Sequence, residues 1–196
     1  MRKLITPLAL LATLALAISF ANAQAKPGAD APAFSLTDTN GQTQSLADAK
    51  GKIVVLEWIN PTCPYVQRHY NLKTMSNLAS ANSDVVWMAI ATGKTADADA
   101  LKKFASEHSI SNPILLDKDG AVAKAYGAKA TPHMFVIDKD GKLAYAGAID
   151  SAPSDDPSAP MKDGTTNYVE KAIKEIKAGS SVSTPETQEY GCGVKY

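Results

Sequence analysis

The unbroken run Ile53-Val54-Val55-Leu56-Glu57-Trp58-Ile59 consists of apolar β-formers apart from one acid. A strand with one wet face alternates apolar and polar side chains. A near-continuous run belongs instead to a strand covered on both faces, as in a parallel sheet between layers of helices. The run ends at Asn60-Pro61-Thr62-Cys63-Pro64, after which Tyr65, His69, Leu72, Met75 and Ala79 recur at helical spacing. The sequence therefore predicts a central strand that turns directly into a helix, with Pro64 in the first position, where its missing N–H is harmless.

The same grammar repeats downstream. Residues 85–91 read as a second covered strand. Thr95 is the expected N-cap of a helix whose apolar face carries Ala98, Leu101, Phe104 and Ala105, and residues 114–116 form a third strand. Such alternation favours parallel pairing, because parallel strands need a crossing element between them. Residues 133–138 and 143–148, joined through Lys139-Asp140-Gly141-Lys142, read instead as an antiparallel hairpin, and residues 166–177 as a last helix. Residues 33–36 and 42–46 flank Thr37-Asp38-Thr39-Asn40-Gly41, whose Asn-Gly step is turn chemistry, so an N-terminal β-hairpin leads into the fold. The class is α/β, a central mixed sheet flanked by helices. Residues 151–164, rich in Pro, Ser, Asp and Gly, read as a surface loop. The two Asp-Lys-Asp-Gly stretches at Asp117 and Asp138 are turns: the glycine comes too early for a calcium loop, and position twelve is Ala128 or Ile149.

Arg2 and Lys3 precede an apolar stretch over residues 8–20 and then Ala21-Asn22-Ala23, the order of a secretory signal peptide with cleavage near Ala23. The expected organisation is thus a signal peptide over 1–23, a single domain over 24–178, and a flexible C-terminal tail over 179–196 carrying Cys192. The expected location is periplasmic or secreted, with no membrane association once the signal is removed. With 20 Lys+Arg against 20 Asp+Glu, nothing draws the chain to nucleic acid. Export places Cys63 and Cys192 where disulfides persist.

Cys63 stands where the chain turns into the helix, so its sulfur is expected to face unpaired backbone N–H groups. The thiolate is the nucleophile, and the positive end of a helix favours it. Cys192 lies between Gly191 and Gly193, which make that thiol mobile. It is either a resolving cysteine, able to attack a sulfenic acid or a mixed disulfide, or half of a permanent bridge. Thr131-Pro132 stands immediately before a strand; a proline there belongs at the strand's first residue or in a cis turn, and cis is expected.

A strand ending in Trp58, a helix-initiating Cys63-Pro64 and a later Thr131-Pro132 before a hairpin resemble the thioredoxin superfamily, in its redoxin branch of the alkyl hydroperoxide reductase and thiol-specific antioxidant type. The stretch from Glu57 to Val66, His69-Tyr70 and the terminal Gly191-Cys192-Gly193-Val194-Lys195-Tyr196 are similar to a poorly characterised group of secreted bacterial peroxiredoxin-like proteins. The resemblance implies a thioredoxin-like fold. It also implies thiol-disulfide exchange or peroxide reduction at Cys63, with Thr131 and Pro132 against the sulfur where a substrate chain would lie. Peroxide or a disulfide is the implied substrate and an external dithiol the reductant; no cofactor is called for. Glu57 matches a buried acid that moves protons for the active-site thiols in thioredoxins, provided the strand register turns it towards Cys63. Asn60, Thr62, Pro64, Tyr65 and His133 make up the expected substrate side.

The departures from the family are equally specific. Val66 stands where a Cys-x-x-Cys pair would have its second cysteine, so exchange through that motif is excluded. Peroxiredoxins carry Thr or Ser three residues before the attacking cysteine and Pro seven before, where this chain has Asn60 and Leu56. The sole arginine of the mature part, Arg68, is not obviously aimed at the sulfur. Two alternatives stand beside the redox reading. One is a copper-binding module built on Cys63 and His133, with His69 as a further candidate ligand, although no metal site is assigned. The other is a non-catalytic thioredoxin-fold interaction protein.

Overall fold

The computed structural model describes residues 24–196; the expected signal peptide over 1–23 lies outside the described residues. The central sheet is built on β3 (Val54–Trp58), flanked in parallel by β4 (Val86–Thr92), which in turn pairs in parallel with β5 (Ile114–Asp117). On its other side β3 pairs antiparallel with β7 (His133–Ile137), and β7 with β8 (Leu143–Gly147), giving the order β5-β4-β3-β7-β8. The expected hairpin precedes this sheet as β1 (Ser35–Thr37) and β2 (Thr43–Ser45).

Burial on both faces is what the apolar run of β3 requires. Val54, Leu56 and Trp58 point into a cluster with Phe34, Met88, Tyr126 and Phe135. Val55 points the other way, into a cluster with Met134, Val136 and Ile173. Ile59 continues that second face into a third cluster under α1 (Pro64–Asn71) and α3 (Ala98–His108). The expected single helix from Pro64 is in fact two. Lys73 adopts φ 55°, and α2 (Thr74–Ala81) starts afresh. The break divides labour: α1 packs Val66 and Tyr70 near the end of the sheet, whereas α2 packs Met75 and Leu78 beside α5 (Tyr168–Lys177).

Two further differences are local. The N-cap of α3 is Asp97, whose side chain accepts from Ala100 N, while the Thr95 hydroxyl donates to Thr92 O in a short 3-10 turn. The turn expected at Asp117 also opens a helix, α4 (Ala121–Tyr126). Buried Asp117 caps it, accepting from Val122 N at 3.2 Å, Ala123 N at 2.9 Å and the Thr92 hydroxyl at 3.0 Å.

The segment expected as a flexible tail, residues 179–196, is laid back along the domain. Glu186 bridges to Ala146, and β9 (Cys192–Gly193) pairs antiparallel with the short β6 (Ala130–Thr131). The Tyr196 hydroxyl donates to Ala128 O at 2.7 Å. A Cβ on Gly93 would overlap the Lys195 carbonyl, so this closure depends on a bare backbone. Among the described residues, no helix is long and apolar enough to cross a membrane.

Asp117→Ala should destabilise the fold by about 3 kcal/mol in urea denaturation, because it strips two helix N–H groups and a buried hydroxyl of their acceptor. Asp119→Ala, at an exposed turn in the same loop, should cost less than about 1 kcal/mol.

Candidate active site

Cys63 is the N-cap of α1 and Pro64 its first residue, so the strand-to-helix turn delivers the sulfur to the C-terminal end of the central strand. The turn is shaped by Asn60, whose Oδ1 accepts from Thr62 N at 3.0 Å and from the Thr62 hydroxyl at 2.9 Å, while its carbonyl accepts from Cys63 N at 3.0 Å. Asn60 and Thr62, expected on the substrate side, therefore spend these groups on each other. Cys63 is 1% exposed, and its Sγ donates to the Thr131 carbonyl at 3.0 Å. The Thr131-Pro132 peptide is cis. Thr131 thus presents its carbonyl to the sulfur across the sheet, between β6 and β7.

Cys192 meets the same residue. It lies opposite Thr131 in the β6–β9 register, and the Thr131 hydroxyl donates to its carbonyl at 3.3 Å. Cys192 packs on the apolar cluster that includes Cys63. Both cysteines are free thiols. Burial pushes the Cys192 thiol up to about 11, reinforced by the neighbouring Cys63 sulfur. The structure therefore brings together Cys63, Cys192, Thr131 and Pro132.

Glu57 lies on the face of β3 that α1 covers, and the Tyr70 hydroxyl donates to its Oε2 at 2.9 Å while Oε1 has no partner. Burial pushes this carboxyl from its ordinary 4.5 up to about 7, opposed by the Tyr70 hydrogen bond. The register that decides its direction thus turns it to the Cys63 side of the sheet. Tyr70, named from the sequence only within the His69-Tyr70 pair of the resemblance, was not among the expected site residues, although it falls on the helix face that carries Val66.

His133 does not join the sulfur. Its ring packs against Phe135 at 4.4 Å, its Nδ1 accepts from Lys129 N at 3.2 Å, and burial lowers it to about 4. His69 Nε2 donates to the Tyr190 hydroxyl at 2.9 Å, and burial likewise lowers its pKa to about 4. Among the described residues, no three His, Cys, Asp or Glu side chains gather into a group able to hold a metal ion. Arg68, 1% exposed, points away to the loop expected on the surface, donating to the carbonyls of Ala152, Ala159 and Pro160 at 3.0–3.1 Å.

A second group that sequence reasoning missed anchors the tail. The Tyr190 hydroxyl donates to Asp150 Oδ1 at 2.7 Å as it accepts from His69, and its ring lies 5.9 Å from that of Tyr65. The available signal was spacing: in an extended segment Tyr190 and Cys192 share a face.

Comparison with known proteins follows the same lines. The Redoxin family profile matches residues 26–160. The thiol-disulfide oxidoreductase ResA of Bacillus thuringiensis subsp. konkukian is 32% identical over 116 residues, 59% of this chain and 66% of the relative, so the match spans just under two thirds of that protein. A structure of an uncharacterized conserved protein from Geobacillus kaustophilus superposes with a TM-score of 0.73 at 28% identity, over 87% of this chain and 92% of that one. A secreted Mycobacterium tuberculosis disulfide oxidoreductase, homologous to E. coli DsbE, superposes with a TM-score of 0.52 at 26% identity, over 66% and 87%. The thioredoxin-like α/β architecture expected from the sequence is the observed one.

Glu57 is easier to protonate folded than unfolded, so its contribution to stability is full below pH 4.5 and is lost as pH rises towards 7. His69 and His133 run the other way, their contribution present above their ordinary 6.5 and lost as pH falls towards 4. Glu57→Gln removes only the first effect. Its stability relative to wild type, from urea denaturation, should climb by about 3 kcal/mol across the carboxyl's window and then level off. A pH-independent difference would show that Glu57 is not the titrating group.

Proposed function

This chain belongs to the Redoxin family, and on that premise we propose that it is an extracytoplasmic thiol-disulfide oxidoreductase in which Cys63 attacks and Cys192 resolves. The observation that carries this reading is the meeting of both thiols at the main chain of Thr131, one hydrogen-bonded to its carbonyl and the other paired with it in a strand. The signal-like residues 1–23 support export, and the ResA relative's name supports the chemistry.

The reaction runs in two displacements. Cys63 gives up its proton, with Glu57 as the carrier, and attacks a disulfide sulfur; a new S–S bond forms, the old one breaks, and the departing thiolate keeps the electron pair. Cys192 then attacks Cys63, closing an internal bridge and expelling the second substrate thiolate. The substrate has gained two electrons, and an external dithiol returns two to the protein.

Electrostatics time the second step. Two of the influences that hold Cys192 protonated, the neighbouring Cys63 thiol and charge on it, exist only while Cys63 is free. Both vanish when Cys63 enters a mixed disulfide, so the resolving thiol becomes easier to ionise at the point where its attack is needed. Glu57, buried on the same side of β3, is the proposed proton carrier for these thiols.

Peroxide reduction is the less supported arm of the reading. Asn60 and Thr62 bind each other, and Arg68 is committed to loop carbonyls. Neither copper binding nor a purely structural role is favoured, since His133 and His69 are engaged elsewhere and the two thiols meet at Thr131 and in one apolar cluster.

Reduced wild-type protein treated with a model disulfide should form a Cys63–Cys192 bridge, identified by intact mass and peptide mapping. Cys192→Ser should stop at a mixed disulfide on Cys63, and Cys63→Ser should lose the reaction. Hydrogen peroxide should react at Cys63 far more slowly than the disulfide. An inert Cys63 in the folded wild type would overturn the proposal.

A further inference from the structure

At Cys192 itself the tail is held lightly. β9 pairs with β6 over two residues, and the Thr131 hydroxyl reaches the Cys192 carbonyl at 3.3 Å. At Tyr190 the hold is firmer. Its hydroxyl accepts from buried His69 on α1 at 2.9 Å and donates to buried Asp150 at 2.7 Å, and its ring packs beside Tyr65 and on the cluster that contains Ile173. Asp150 is fixed in turn: its Oδ1 accepts from Ala152 N at 2.9 Å, and its backbone bridges to Asn167, the N-cap of α5. Buried polar groups have no water to fall back on, so the Tyr190 contacts resist release.

Cys63 is 1% exposed, and Cys192 packs on the same apolar cluster, so no substituent can be seated on the Cys63 sulfur without moving that layer. The two-residue β9 is the part that gives, because so short a pairing is marginal. Gly191, at φ 126°, is the joint on which it turns. Resting on the reading that Cys192 resolves a mixed disulfide on Cys63, we propose that Tyr190 is the positioning residue for that step. It is a fixed post beside the joint that keeps the displaced thiol within reach of Cys63.

The size of the effect follows from chain geometry. Cys192 lies two residues beyond Tyr190, and an extended chain spans at most about 3.5 Å per residue, so the thiol-bearing residue ranges over about 7 Å. Without the Tyr190 anchor, the next side chain fixed upstream is Thr187, whose hydroxyl accepts from Ala148 N while its own N–H donates to Ala146 O. The intervening Glu189 meets only a largely exposed Lys129, at 3.6 Å, an ion pair of little worth. From Thr187 the range is about 17 Å. Accessible volume grows as the cube of the range, so the effective concentration of Cys192 at Cys63 falls by about tenfold. Tyr196, beyond the cysteine and bonded to Ala128 O, adds little while the nearer post holds.

In the step so positioned, Cys192 attacks the Cys63 sulfur of the mixed disulfide. The Cys63–Cys192 bond forms, the bond to the substituent breaks, and the departing thiolate keeps the electron pair and takes up the proton that Cys192 gave up.

The test equilibrates the protein with mixtures of reduced and oxidised glutathione. After acid quenching, intact mass separates the reduced, glutathionylated and bridged forms, whose balance gives the effective concentration of Cys192. Tyr190→Phe, which keeps the ring and loses both hydrogen bonds, should lower that concentration about fivefold or more. Insertion of two glycines after Gly191, with the anchor untouched and the reach doubled, should lower it comparably. Tyr196→Phe should change it by less than about twofold. In a Cys192→Ser background, Tyr190→Phe should not slow formation of the Cys63–glutathione adduct, which separates positioning from damage to the fold. An unchanged effective concentration in either Tyr190→Phe or the insertion variant, an equal loss in Tyr196→Phe, or slowed adduct formation would overturn the positioning role and leave the two-cysteine reading standing. Absence of any bridge in the wild type would overturn the reading on which it rests.

Discussion

The main chain of Thr131 is where three distant parts of the molecule meet. Its carbonyl takes the hydrogen bond from Cys63 at the start of α1, and its strand edge takes the antiparallel pairing of Cys192. These contacts use backbone groups, whose directions are fixed by β6 and by the central strands behind it. A side-chain acceptor would swing with its rotamer, whereas a carbonyl in a strand holds its line to within the play of the sheet. The thiols are therefore brought together by the architecture, and the buried strand β3 sets the distance between helix start and sheet on which their meeting depends.

The electrostatics around this junction divide by element. Beneath α1, Glu57 and Tyr70 form a buried pair in which burial favours the neutral acid. Beside it, His69, Tyr190 and Asp150 form a chain of hydrogen bonds in which the imidazole is also kept neutral. Arg68 is the buried cation of the region, and its guanidinium is met by carbonyl dipoles of the loop that it pins. The planar fork of donors suits that arrangement, since three carbonyls approach it from different directions, which an ammonium on a flexible stem would match poorly.

Much of this was legible in the residues. The covered strand, the hairpins and the placement of Cys63-Pro64 at a strand-to-helix turn are written in local patterns, and local pattern decides them. Lys73 breaks the first helix because its two halves serve different apolar clusters, a tertiary reason that a continuous stripe from Tyr65 to Ala79 does not disclose. The short helix after Asp117 has too few turns to show a period, and its flanking glycines read as a loop. The tail was the largest departure. Glycines and polar residues with no amphipathic rhythm suggest mobility, but a segment bound through its backbone needs no rhythm. Its flat glycines are what allow the close approach. His133 shows the converse: proximity in sequence to Pro132 gave it interest, while the alternation of β7 sent its ring towards Phe135.

The Thr131–Cys192 contact joins residues 61 positions apart, and the Cys63–Thr131 contact residues 68 apart. A chain that emerges N-terminus first exposes Cys63 to its surroundings well before the strand that shelters it, and Cys192 later still. During that interval the first thiol is a lone, uncovered sulfur in the company of other folding chains. Its proper neighbour arrives only when the final residues are threaded into place. The order of synthesis thus leaves the first thiol uncovered until the tail docks against Thr131.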